Sequence, residues 1–206
     1  MEIFKKIKLR KVLFAFLGVA ILALGASILN VAGVGLDPNT AMNSGISSKL
    51  GTSLGIFQLC ANAVILLFVF IFGRKLIGIG TVINMVLAGF LIDGFSSLYY
   101  KLFSFQMTFT YQVIYLIVGV LLFTLGASLY MSANLGNAPY DAIAPIIVEK
   151  TNFEYRKVRV CQDVIVVIIA FCFSGPIGVG TVINAFFTGP LIDFWNKKVS
   201  HPLIGE

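Results

Sequence analysis

Charge is what this sequence most lacks. Only 12% of its 206 residues are Asp, Glu, Lys or Arg, against 58% hydrophobic residues, and mean hydropathy is +0.96. Soluble domains carry about 25% charged residues, so a chain of this size cannot cover a water-facing surface with so few. A soluble enzyme, a disordered chain and a coiled coil are excluded, which leaves an integral membrane protein. Histidine is nearly absent: the single His201 lies in the C-terminal tail, so neither imidazole catalysis nor a His-rich metal site has material to build on. The three cysteines, Cys60, Cys161 and Cys172, sit inside apolar runs. They supply no disulfide framework and no metal-ligand spacing. The acids are few and scattered, without the cluster that a membrane enzyme acting on lipid would need. No catalytic residue, cofactor or metal is therefore expected, and no enzymatic activity.

What is present is long uncharged runs. A helix crossing a ~30 Å hydrocarbon core needs about 20 apolar residues. Val12 to Ala32, Leu54 to Gly73 and Tyr111 to Ala133 meet this without a charge, and Ile77 to Leu98 meets it with one. From Val164 to Ile192 the chain is uncharged for 29 residues, interrupted by the turn signal GPIGVG at 175–180. A fifth helix starting near Val158 and a sixth ending near Trp195 accommodate this stretch, for six spans.

The net charge of +6 would suggest nucleic acid in a soluble protein; here it reads as topology, and no nucleic-acid partner is expected. With the N-terminus in the cytoplasm, the inner segments hold Lys5, Lys6, Lys8, Arg10, Lys11, Arg74, Lys75, Lys150, Arg156, Lys157, Arg159, Lys197 and Lys198. The outer segments hold only Lys49 and Lys101. That bias places both termini inside.

The chain also contains its own second copy. GASILNVAGVGLDPNTA from Gly25 aligns with GASLYMSANLGNAPYDA from Gly126 at an offset of 101, and GIGTVIN from Gly78 matches GVGTVIN from Gly178 at an offset of 100. Gly89 and Gly189, the LID triplets ending at Asp93 and Asp193, and the pairs Cys60/Cys161 and Asn62/Asp163 follow in the same order. The chain reads as one membrane domain, 1–206, made of a repeat over 12–100 and a second over 111–198. Three spans per copy is odd, so the second enters the bilayer from the opposite side. The expected fold is an all-α membrane protein of six helices in two inverted three-helix repeats. Inverted repeats are the architecture of secondary transporters, with the substrate site near the midplane between the halves.

Two motif pairs are the site candidates. After the first span of each copy, Gly and Pro break the helix, and Pro38 and Pro139 suit the first turn of a new short helix. Residues 39–50 and 140–149 are too short to span and read as interfacial or re-entrant helices, one per face, serving as gates. Asp37 and Asp141 lie beside these breaks, as substrate-binding groups or as ordinary interfacial acids. The second motif opens the third span of each copy. Thr81 and Asn84 share a helix face, as do Thr181 and Asn184. At 1.5 Å per residue each Asn lies roughly 9 Å inside its own interface, so the two approach the midplane from opposite sides. They are read as substrate-binding, with helix packing as the plainer alternative.

Asp163, a turn into the fifth span, is the ion-coupling candidate, because intramembrane carboxylates are costly and usually functional; pairing with Arg159 is its local alternative. Asp93 and Asp193 fall near the far ends of their helices and read as anchors, and the aromatics at span ends as an interfacial belt.

The duplicated G-A-S helix with its Gly/Pro break, and the GxGTxxN…LID segments, resemble the YczE/YyaS/YitT family of bacterial membrane proteins along nearly the whole chain. The resemblance implies a multi-pass protein of the bacterial cytoplasmic membrane and supplies no substrate or catalytic residue. The expected function is a small secondary transporter or permease that moves a small polar solute by alternating access, in contact with the lipid bilayer and with a homodimer as a further expectation. Two alternatives stand beside it: a substrate-binding membrane subunit of a multi-component uptake system, and a membrane scaffold or regulatory protein.

Overall fold

The computed structural model describes residues 2–103 and 107–204, with side chains from Leu9 onward; the side chains of Lys5, Lys6 and Lys8, counted above as inner charges, lie outside the described residues. All regular structure among the described residues is helical. Helix α1 (Glu2–Ala32) is followed by a short α2 (Pro38–Lys49), then α3 (Leu54–Phe72) and, after a single 3₁₀ turn at Arg74–Leu76, α4 (Ile79–Leu102). The second half repeats the order: α5 (Phe109–Ser132), a short α6 (Pro139–Lys150), α7 (Tyr155–Cys172) and α8 (Val179–Trp195). A wide turn at Asn196–Ser200 leads into α9 (His201–Ile204). The expected breaks are real, and Pro38 and Pro139 are the first residues of α2 and α6, where the missing N–H costs nothing and φ is already helical.

Among the described residues four helices are long and apolar enough to cross a membrane: residues 9–32 of α1, then α3, α4 and α5. The sequence expectation was six. α7 has 18 residues but carries Arg156, Lys157, Arg159 and Asp163, and α8 has 17 with a proline inside, so these two fall short on polarity and length. The outward faces carry many large apolar side chains. Leu67 and Ile71 on α3, Ile168 and Phe171 on α7, and Val179 and Val182 on α8 are all exposed, a continuous apolar surface that suits lipid rather than water.

The core of the bundle is the antiparallel crossing of α1 on α5, and glycine sets its distance. A Cβ on Gly18 would lie 2.5 Å from the Tyr130 nitrogen, and one on Gly119 would meet the Leu29 side chain at 2.7 Å. Gly25 and Gly126 are equally closed against the facing backbone. Without a hydrophobic drive between helices in lipid, such close backbone approach is how membrane helices gain packing energy. Gly18 and Gly119 correspond by the repeat offset, as do Gly25 and Gly126, so each copy supplies the same two residues to the crossing.

The copies also interlock at their breaks. The Gly80 N–H donates to the Leu135 carbonyl (2.7 Å) and the Gly180 N–H to the Val34 carbonyl (2.8 Å). Likewise Asn137 N–H donates to Leu76 O and Leu36 N–H to Pro176 O, both at 2.9 Å. Each bond is the repeat-equivalent of the other. The loop after α1 thus satisfies the first N–H groups of α8, and the loop after α5 those of α4, groups that no intrahelical carbonyl can reach. Gly35 (φ +98°) and Gly136 (φ +103°) sit at the two contacts, where a side chain would be both strained and blocked by the facing glycine's backbone.

Two of the residues counted above as inner charges make defined contacts. Arg10 donates to the Leu203 carbonyl at 2.5 Å, tying the N-terminal helix to the C-terminal tail, and Lys75 pairs with Glu149 at 2.6 Å. Because α4 packs on α1 with Asn30 beside Ser96 and Ala88 beside Ala15 and Val19, the two helices are parallel. Lys75 and Arg10 therefore lie at one end of the bundle.

Candidate functional site

A cavity of about 660 Å³ lies between the two copies, lined by residues from all four helices of each half. The starts of the short helices α2 and α6 reach it, because the Gly/Pro breaks turn the chain back into the bundle instead of letting α1 and α5 run on.

Of the residues selected from sequence, Asp37, Pro38, Asn84, Asp141, Asp163 and Asn184 line this cavity. Asn84 and Asn184 are both buried, brought to one space from α4 and α8. The threonines beside them are used otherwise. Thr81 Oγ1 accepts from the Gly78 N–H (3.0 Å), and Thr181 Oγ1 accepts from the Gly178 N–H (3.1 Å). Both threonines close the first turn of their own helix, and neither lines the main cavity; Thr181 borders a smaller cavity of about 180 Å³ between α7 and α8. A threonine at the third position of a helix after an extended glycine is well placed to cap, and capping is local enough to win. Pro139 is buried as the first residue of α6 but is not part of the lining.

The second half holds a charged network. Arg159 Nη1 donates to Asp141 Oδ1 at 2.8 Å, and Arg159 Nε to Asp163 Oδ2 at 3.3 Å. The Tyr140 hydroxyl donates to Asp163 Oδ1 at 2.7 Å, the Arg159 guanidinium stacks 5.0 Å from the Tyr140 ring centre, and Gln162 Nε2 donates to the Tyr140 carbonyl at 2.9 Å. Asp163 therefore forms the pair with Arg159 that was its local alternative, and it also lines the cavity. Asp141, read as a substrate-binding group or an ordinary interfacial acid, is a third member because α6 folds back over the start of α7.

The first half supplies neutral counterparts. Carried one turn further, the offset of 101 aligns Arg159 with Gln58, Asp163 with Asn62, Asp141 with Thr40 and Tyr140 with Asn39, all in the lining. That extension of the repeat was the available signal for Gln58, Arg159 and Tyr140, which reading single motifs passed over. The one cavity acid of the first half is Asp37. Its Oδ2 accepts from the Thr40 N–H at 3.1 Å, capping α2, and its Oδ1 is buried with no partner. Gln58 Oε1 and Asn184 Nδ2 are likewise buried and unpartnered. Buried polar atoms left unpaired are costly, and three of them on the lining of one cavity are what a binding site looks like before its ligand arrives. Among the described residues no group of His, Cys, Asp and Glu is arranged to hold a metal ion.

The two ends of the cavity differ. At one, Gly89 of α4 packs on the Gly55 backbone of α3, and the Gly55 N–H donates to Asp93 Oδ2 at 2.8 Å. Asp93, expected as an interfacial anchor, is thus the cap of the neighbouring helix. At the other end the equivalent residues are Arg156, Gly189 and Asp193. Arg156 and Asp193 are exposed at the cavity mouth, and a Cβ added at Gly189 would meet nothing within 4 Å.

Comparison with known proteins places the chain. The profile of a family described as a family of unknown function (DUF6198) matches residues 9–197, and the chain belongs to that family. It is similar to the uncharacterized membrane protein YczE of Bacillus subtilis strain 168, with 33% identity over 182 residues that cover 88% of this chain and 83% of YczE. It is also similar to the uncharacterized protein YyaS of the same organism, with 25% identity covering 95% and 97% of the two chains. A protein of Haemophilus influenzae is 24% identical, over 85% of this chain and 78% of its own length. These relatives bear out the resemblance read from the motifs. No solved structure matches the chain.

Proposed function

We propose that this membrane protein is a small secondary transporter of the bacterial cytoplasmic membrane. On this reading it has six spans in two inverted three-helix halves and both termini inside, and it moves a small polar solute through the shared cavity by alternating access. The observation that carries the reading is the unequal closure of two equivalent helix pairs: α3 and α4 are clamped at one end of the cavity by Gly55, Gly89 and Asp93, while α7 and α8 stand apart at the other. In an inverted-repeat carrier, exchanging the conformations of the halves converts an inward-facing state into an outward-facing one. With Arg10, Lys75 and the C-terminal tail at the inner face, the open end is cytoplasmic. The reciprocal hydrogen bonds at the breaks would act as the shared hinge.

Accessibility tests this without knowledge of the solute. In a cysteine-free background, Asn84→Cys is labelled with a membrane-impermeant maleimide from each face of oriented vesicles. Labelling from the cytoplasmic face is expected. When Arg156→Cys and Gly189→Cys are added and joined by a cross-linker, access is expected to move to the outer face. Labelling that stays on one face, open or joined, removes the carrier reading. Pro176→Cys should react from outside and Arg74→Cys should not; the reverse pattern removes the inverted topology.

A further inference from the structure

We propose that the cavity takes a small organic monocation, held through an ammonium group by the Asp37 carboxylate. The inference rests on the cavity being the solute site and names the class of solute.

Charge is the first ground. Three carboxylates, Asp37, Asp141 and Asp163, share the inner lining with one guanidinium, Arg159; the mouth adds one residue of each sign, Arg156 and Asp193, and leaves the imbalance as it is. Arg159 is committed, since both Asp141 and Asp163 hold it and Asp163 also receives the Tyr140 hydroxyl. Asp37 is left without a cation. The residue that corresponds to Arg159 in its own half is Gln58, which is neutral, and Lys49 at the far end of α2 lies over the Phe173 ring instead. A carboxylate at this depth is relieved by a counter-charge or by a proton, and among the described residues no cation pairs with Asp37.

Unpaired atoms are the second and independent ground. Gln58 is 4% exposed, and its Oε1 has no partner; Asp37 Oδ1 has none either. Both residues belong to the cavity lining, and both free atoms are acceptors that call for donors; the third unpaired atom of the lining, Asn184 Nδ2, is a donor and calls for an acceptor elsewhere on the solute. An ammonium has three donors and is satisfied by two or three acceptors. A bare alkali ion replaces its hydration shell with a cage of oxygens, more than these residues offer. An anion would have to displace Asp141 or Asp163 from the only inner cation.

Size and polarity complete the class. A volume of about 660 Å³ falls inside the ~300–1,000 Å³ range of small-molecule sites. Leu22, Ile92, Phe123 and Met131 form an apolar wall on the same lining, suited to a hydrocarbon body behind a charged head.

The test uses the purified full-length protein in detergent, titrated with butylammonium chloride; sodium chloride and sodium butyrate at equal ionic strength are the controls, and thermal unfolding is the readout. A ligand that binds the native state raises the apparent Tm saturably, and that rise is expected with butylammonium alone. Asp37→Asn keeps the α2 cap, because Asn caps as well as Asp, and removes the charge; it should weaken the apparent affinity by about tenfold to a hundredfold. Asp37→Ser, a second capping residue, guards against a folding artefact and should behave alike. A response to sodium equal to that of butylammonium makes the site one for an inorganic cation and overturns the proposal. So does a response to butyrate, no saturable response to butylammonium, or undiminished affinity in Asp37→Asn. Ammonium binding with Asn84→Cys fixed on one face would end the carrier reading and leave this site standing; alternating access with no ammonium response would do the opposite.

Discussion

The pair α3–α4 and the pair α7–α8 occupy equivalent places in the repeat yet meet differently. Where α3 meets α4, glycine faces glycine, and a carboxylate one turn on takes the first free N–H of α3. Where α7 meets α8, an arginine stands in the place of Gly55, and the matching glycine and carboxylate have nothing against them. The polar chemistry is divided in the same manner, neutral amides and a threonine in the first half, an arginine between two acids in the second. The two halves thus follow the same order of helices while differing in their contacts, one closing tightly and one holding charge.

The comparison can be broken most severely at the charged network. Arg159→Ala leaves Asp141 and Asp163 facing each other without a cation, and removing one partner of a largely buried pair costs about 3 kcal/mol or more. A large fall in Tm is expected. Rewriting the network in the first half's terms, Arg159→Gln with Asp141→Thr and Asp163→Asn, should recover most of that loss, since neutral groups carry no charge to strand; additive losses in the triple variant would refute the equivalence of the halves.

A smaller effect separates the two clamps. Gly89→Ala places a methyl against the Gly55 backbone and should destabilise by about 1–3 kcal/mol through overpacking. Gly189→Ala meets nothing and should be neutral or slightly stabilising, because alanine is the better helix former. Yet if α7 and α8 close in the cycle, Gly189→Ala should impair the switch of Asn84→Cys accessibility with Tm unchanged. Equal Tm losses at the two glycines would show that both clamps are closed in solution.

The smallest difference concerns the two LID acids. Asp93→Ala removes a helix cap worth about 1 kcal/mol, whereas Asp193→Ala, at an exposed and unpaired carboxylate, should stay within about 0.5 kcal/mol of the parent. Tm values for both variants in the same detergent decide it; matching losses would mean that Asp193 already caps α7.

Much of the architecture was legible because it is written locally. Hydropathy marked the long helices, proline after glycine marked the starts of α2 and α6, and the repeated GxGTVIN placed Asn84 and Asn184 on the cavity. The threonines misled for a reason equally local: the same motif that exposes the asparagine uses its threonine to finish the helix start. Asp141 was harder, because its partner Arg159 is 18 residues away and the two meet only through the return of α6 over α7. Asp93 was read as an anchor because its cap, on Gly55, lies on a different helix.

Hydropathy, helix-breaking residues and self-similarity depend on neighbours a few positions apart or on direct matching of one stretch with another, so the chain alone settles that it is a helical membrane protein whose two halves carry matching motifs. Whether a given acid ends up paired, capping or bare depends on how closely two helices approach, and that is governed by glycine faces and turn lengths acting across a hundred residues. Folding alone brought Arg159 between its acids, left Asp37 without a cation, and closed one clamp while its counterpart stood open.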